Sequence, residues 1–132
     1  MSFKLSQTSL SRLHGVNDKL IEMIQSAISK SPIDFGIPKD GGLRTSEDQY
    51  QLFLNGVSKC DGTNKKSYHQ SGNAFDVYAW HKGKASWDKV HLALIAGVIL
   101  AESKSMGLNI RWGGTFGSDS YHGWDFGHFE II

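Results

Sequence analysis

A chain of 132 residues, 39% hydrophobic and 20% charged, has the length and composition expected of a single globular domain rather than two. Its formal net charge of +1 gives no electrostatic case for nucleic-acid binding, which usually draws on a clustered basic surface. The lone cysteine, Cys60, excludes an internal disulfide framework, fits folding in a reducing compartment, and reads as a spectator thiol among polar neighbours.

Taken in chain order, the N-terminal stretch "MSFKLSQTSLSRLHGV" lacks the apolar core of a signal peptide, so the chain is expected to stay in the cytoplasm that makes it. Residues 17–30 predict the first helix: Leu20, Ile21, Ile24, Ala27 and Ile28 recur at helical spacing, Asn17 caps, and Pro32 stops it. "IDFGI" predicts a short strand, and the loop "PKDGGLRT" leads to a second helix, signalled by Ser46 with Gln49 three residues on and ending near Gly56. The polar loop of residues 58–71 includes Lys65 and Lys66, a run that reads as solvated rather than as a phosphate site. Residues 73–79 predict one strand, with Ala74, Asp76 and Tyr78 on one face and Phe75 and Val77 on the other.

"HKGK" predicts a turn, followed by a long helix over residues 87–106 with Ser86 as cap and Gly107 as stop. Its apolar run "LALIAGVILA" is ten residues, too short to span a bilayer, so no membrane insertion is expected. "LNIRW" and "GHFEII" predict the last strands, joined by a Gly-rich loop. The sum is an α+β fold, a small antiparallel sheet with about three helices.

Six histidines are present, and two come with a carboxylate at useful spacing. His69 precedes the strand that carries Asp76, and His128 follows Asp125 by three residues in "WDFGHFE". Two histidines and a carboxylate are a recurrent ligand set for catalytic zinc, and a further carboxylate off the metal can take a proton from water. Spacing alone leaves another reading equally open: His69 and Asp76 as a satisfied polar pair, with His128 in the core. His14, His81 and His91 read as structural or exposed, whereas His122, in the Gly-rich loop, is within reach of a site. Glu130 shares a strand face with His128 by period two, either as its hydrogen-bond partner or as an ordinary edge charge. Tyr78, Trp80, Trp112 and Trp124 suit either a groove wall or the core.

"SYHQSGNAFD" carries all five fixed positions of the pattern S-x-H-x-x-G-x-A-x-D, namely Ser67, His69, Gly72, Ala74 and Asp76, and "DFGH" follows near the C-terminus. In this the chain resembles the zinc peptidases that include D-alanyl-D-alanine carboxypeptidases and dipeptidases. The Met-Ser-Phe-Lys opening and the "GLRT" segment resemble most closely the phage endolysins among them, the L-alanyl-D-glutamate peptidases, over essentially the whole chain.

The resemblance implies a Hedgehog/DD-peptidase-like fold in one catalytic domain, with no separate wall-binding domain. It implies one zinc per chain on His69, Asp76 and His128, and Asp125 as general base where the dipeptidase branch has a glutamate. Arg44 would polarise the scissile carbonyl or bind a substrate carboxylate. Ser67 would hydrogen-bond near the site, while Gly72 and Ala74 would keep space open beside the metal. The implied activity is cleavage of bacterial peptidoglycan stem peptide by a monomer that a holin-type pore releases to the wall. The alternatives are a D-alanyl-D-alanine carboxypeptidase or, in another class, a non-catalytic wall-binding module.

Overall fold

The computed structural model describes residues 2–132. The described residues form four α-helices and six short strands, in the order α1 (Gln7–Arg12), α2 (Asp18–Lys30), β1 (Asp34–Gly36), α3 (Ser46–Leu54), β2 (Ala74–Asp76), β3 (Tyr78–His81), β4 (Lys84–Ser86), α4 (Lys89–Ser105), β5 (Ile110–Trp112) and β6 (His128–Ile131). The class is α+β, as the sequence predicts. No helix among the described residues is long and apolar enough to cross a membrane.

The strands form two antiparallel three-stranded sheets instead of one, ordered β1-β3-β4 and β2-β6-β5. The strand predicted over residues 73–79 is therefore two strands in different sheets. The break falls at Val77, whose backbone N–H donates to the Gly127 carbonyl at 2.8 Å while its side chain stays fully buried. Side-chain alternation runs unbroken across this transfer, so the sequence gives no sign of it.

The core lies between the two long helices and the sheets. Asn17 caps α2 by accepting from the Lys19 N–H, and Leu20, Met23, Ile24 and Ala27 form its buried stripe. On α4, Leu92, Ile95, Ala96 and Ile99 form the facing stripe. Both stripes follow the 3.6-residue period, which is why each helix can bury one face. Phe75 and Phe129, paired across β2 and β6, stack with ring centroids 5.2 Å apart and seal the second sheet onto this core.

Two helix caps differ from expectation. Thr45, not Ser46, caps α3 by accepting from the Asp48 N–H, and this turns Gln49 inward instead of placing it in a capping box. Asp88, not Ser86, caps α4. Ser86 belongs to β4, a strand the sequence reading omits; its hydroxyl lies 2.7 Å from His91 Nδ1. The "HKGK" turn is present, with Lys82 and Gly83 at φ 51° and 77° linking β3 to β4.

Candidate metal centre

Three local structures bring three side chains to one point. His69 lies in a short 3₁₀ turn, Tyr68–Ser71, whose start is fixed by a reciprocal cap. Ser67 Oγ accepts from the His69 N–H, and Gln70 Oε1 accepts from the Ser67 N–H. Gly72 ends the turn in the left-handed region at φ 75°, and a Cβ there would lie 2.6 Å from the Gly15 carbonyl. Gly72 therefore serves the turn and its contact with Gly15, not open space beside a metal, and Ser67 acts by shaping the turn that presents His69.

Asp76 and His128 face each other directly, because the β2–β6 register pairs Asp76 with His128 and Ala74 with Glu130. The loop before α3 ties this sheet to the His69 turn. Gly41 O accepts from the Asp76 N–H at 2.8 Å, Gly42 O accepts from His69 Nδ1 at 2.8 Å, and His69 O accepts from the Arg44 N–H at 3.1 Å. Gly42 can be nothing larger, since a Cβ would come within 2.1 Å of the Arg12 carbonyl.

The result is a tight triangle. His69 Nε2 lies 3.2 Å from His128 Nδ1 and 3.2 Å from Asp76 Oδ1, and His128 Nδ1 lies 3.0 Å from the same oxygen. Both rings are buried, and only a fifth of the Asp76 side chain is exposed.

The outer nitrogens settle the chemistry. A carbonyl only accepts, so His69 Nδ1 must donate to Gly42 O, which leaves Nε2 of a neutral ring as a lone pair. His128 Nε2 sits 2.6 Å from Glu130 Oε1 and donates to it, which leaves Nδ1 likewise free. Three acceptor atoms thus point at each other, and only protons or a cation can hold them there. Four tetrahedral ligands at ordinary zinc bond lengths stand roughly 3.3 Å apart, close to the distances observed. The donor set and its outer hydrogen bonds fit a zinc ion.

Charge follows the same geometry. Burial alone would raise the Asp76 pKa, but the nearby His69 and the hydrogen bonds from His128 and His69 outweigh it and hold the carboxyl well below its usual range. For His128, burial opposes protonation. The hydrogen bonds to Asp76 and Glu130 overcome it, and in the metal-free site its pKa is pushed up to about 9. Glu130 is kept ionised by His128 and by Arg111, whose guanidinium pairs with Glu130 Oε2, against the opposing effect of burial.

Asp125 stands outside the convergent three and lines the groove in front of them. Exposed as a residue, it is still enclosed enough that desolvation, and then repulsion from Asp76, raise its pKa. Its carboxylate enters no salt bridge among the described residues. Its place is fixed by the Gly-rich segment: the Asp125 N–H donates to Gly113 O at 3.2 Å, and a Cβ on Gly113 would lie 1.9 Å from the Asp125 carbonyl.

Arg44, from the loop before α3, lines the groove and braces Asp76. It donates from Nη2 to Asp76 Oδ2 at 3.0 Å, from Nη1 to Gln49 Oε1 at 3.1 Å and from Nε to Asp40 O at 2.8 Å. His122 is exposed, and its backbone N–H donates to Ser118 Oγ. It does not line the groove, whereas Trp124 does; Tyr78 and Trp80 lie on the other sheet and Trp112 is buried.

Two residues that matter here escape the sequence reading. Gln49 is fully buried, and besides accepting from Arg44 it donates to Ser58 Oγ and Cys60 O, joining the site to the groove wall. The sequence gives it a place only as the capping partner of Ser46, three residues on. Arg111 pairs with Glu130 through the β5–β6 register and lines the groove.

The model of the phage L-alanyl-D-glutamate peptidase family matches residues 1–132. The chain is 29% identical to the L-alanyl-D-glutamate peptidase of Escherichia phage T5 over a 140-residue alignment that covers all of both proteins. It also superposes on the crystal structure of the Serratia marcescens L-Ala D-Glu endopeptidase ChiX with a TM-score of 0.82 at 27% identity, covering 99% of this chain and 91% of that one.

Proposed function

Because the chain belongs to the phage L-alanyl-D-glutamate peptidase family, we infer that it is an endolysin peptidase that hydrolyses the bond between L-alanine and D-glutamate in the stem peptide of peptidoglycan. The observation that carries the chemistry is the convergence of His69 Nε2, Asp76 Oδ1 and His128 Nδ1 beside an acid, Asp125, that enters no salt bridge among the described residues. A wall-binding module has no need of such an arrangement.

His69, Asp76 and His128 would hold one zinc ion per chain. Bound there, zinc supplies Lewis acidity toward water and toward the scissile carbonyl. Gly42 and Glu130 keep the two imidazoles in the tautomers that ligation requires. Asp125 accepts the proton of the attacking water and returns it to the leaving amine nitrogen. Its raised pKa suits the first step, because a stronger base takes the water proton more readily, and the more basic leaving nitrogen can still accept that proton in the second. Arg44 orients Asp76 through the oxygen that faces away from the histidines. Three of its five N–H hydrogens are engaged, and the remaining two can meet the oxyanion or a substrate carboxylate in the groove.

Reaching the wall from the cytoplasm then requires a separate membrane-opening factor, such as a holin-type pore. Mass spectrometry of digested peptidoglycan tests the bond assignment: fragments with a new amino-terminal D-glutamate support it. Release of free D-alanine from an otherwise intact stem would instead identify a D-alanyl-D-alanine carboxypeptidase.

A further inference from the structure

The groove in front of the ligand cluster, about 750 Å³ in volume, carries more positive charge than its own acids absorb. Of the cations lining it, Arg44 is paired with Asp76 and Arg111 with Glu130. Lys59, Lys65 and Lys66 also line it, and none of the three enters a salt bridge among the described residues. Asp125 is the one lining acid left without a paired cation, and the mechanism above uses it.

All three lysines sit on one wall, the segment between α3 and the His69 turn. That wall is built rather than slack. Gln49 donates to Ser58 Oγ and Cys60 O, Asp61 Oδ1 accepts from the Thr63 and Lys65 N–H groups, and Gln70 Nε2 donates to Gly62 O. Lys59 Nζ lies 5.2 Å from the Trp124 ring centre, which brings its charge across the groove next to the segment bearing Asp125. Lys66 flanks the other end, three residues before His69, and lines a second pocket that opens beside Arg44. Gathering like charges on a fixed wall is unfavourable unless an anion arrives to meet them.

We propose that the Lys59, Lys65 and Lys66 wall selects substrates with a free carboxylate on the leaving-side residue, taking stem peptides with unmodified D-glutamate over those in which that carboxyl is amidated. The proposal rests on the peptidase reading above. D-Glutamate has two carboxyl groups. One continues the stem peptide, and the other is an anion at neutral pH unless it has been converted to an amide. The product amine forms on that same residue, so its free carboxylate lies within a few bonds of the reacting atoms. A lysine wall beside the catalytic groups is placed to read it. Amidation removes the charge at almost constant shape, so the lysines can discriminate only through electrostatics.

The test compares kcat/KM on two synthetic stem peptides that differ only in D-glutamate against its α-amide. Wild-type protein should favour the carboxylate form by about tenfold, the scale of one or two partly exposed charge pairs. Added salt should narrow that ratio. The triple variant Lys59→Gln, Lys65→Gln, Lys66→Gln should bring the ratio near one, chiefly by raising KM for the carboxylate substrate, whereas the matching triple arginine variant should retain the preference. Equal cleavage of both peptides by the wild type would overturn the proposal, as would an unchanged ratio in the glutamine variant. An unchanged ratio with weakened binding to whole cell walls would instead make the lysines general wall contacts, which also overturns it. If neither peptide is cut at that bond, the peptidase reading itself fails.

Discussion

Arg44 grips Asp76 by the carboxylate oxygen that the histidines leave free: Nη2 lies 3.0 Å from Oδ2, while His69 and His128 converge on Oδ1. One carboxylate is thus held from both sides, and protein contacts by themselves set its orientation. Gln49 carries this brace outward, since the same side chain receives Arg44 and supports Ser58 and Cys60 of the groove wall.

Removing the brace should therefore weaken metal binding without removing a ligand. Arg44→Ala is expected to lower zinc affinity by about 10- to 100-fold, the usual effect of losing an outer partner of a ligand. Competition with a chromogenic chelator measures it. Arg44→Lys should fall in between, because an ammonium cannot reproduce the guanidinium fork.

The two acids should fail in different ways. Asp125→Asn leaves the three ligands intact, so zinc content and melting temperature should hold while turnover falls by about a hundredfold or more. Asp76→Asn replaces an anionic ligand with a poor neutral one, so zinc affinity should fall, and with it the stability that bound metal confers. Zinc content, Tm and peptidoglycan cleavage on both variants separate the roles, and the opposite pattern would exchange them.

Protons and zinc should compete at His128. Its folded-state pKa of about 9 in the metal-free site exceeds the unfolded value of about 6.5. The stabilisation that this protonation gives is fully present below about pH 6.5 and lost as pH rises through about 9. Zinc must displace that proton. Apparent affinity should therefore rise from pH 6 toward 9, with proton release visible by calorimetry in buffers of different ionisation enthalpy. The zinc-induced rise in Tm should grow over the same interval. A rise that is flat with pH would contradict the assignment.

Gly113 offers a test of how Asp125 is positioned. A methyl group there would overlap the Asp125 carbonyl, so Gly113→Ala must push the segment carrying the base away. The expected cost is about 1–3 kcal/mol of stability, typical of overpacking, together with a loss of turnover larger than that in zinc content. Thermal melting and cleavage assays on one preparation check both.

Much of this was legible in the residues, for reasons that can be named. Helix α2 was readable because Asn17, the apolar stripe and Pro32 agree locally. Asp76 was readable because the S-x-H-x-x-G-x-A-x-D motif fixes it together with His69. The switch between sheets at Val77 was not readable, because it depends on a hydrogen bond to Gly127, fifty residues away. Gln49 was hidden for a related reason. A buried glutamine resembles a surface one until its three partners, from the loops on either side of α3, are brought around it.

Zinc titration of metal-stripped protein, with cleavage of peptidoglycan followed at each step, tests the central claim most directly. The account predicts activity that rises in proportion to added zinc and saturates at one equivalent per chain, with His69→Ala neither binding that equivalent nor gaining activity. Full activity in the stripped protein, or a His69→Ala variant that still takes up one zinc and cleaves, would contradict it.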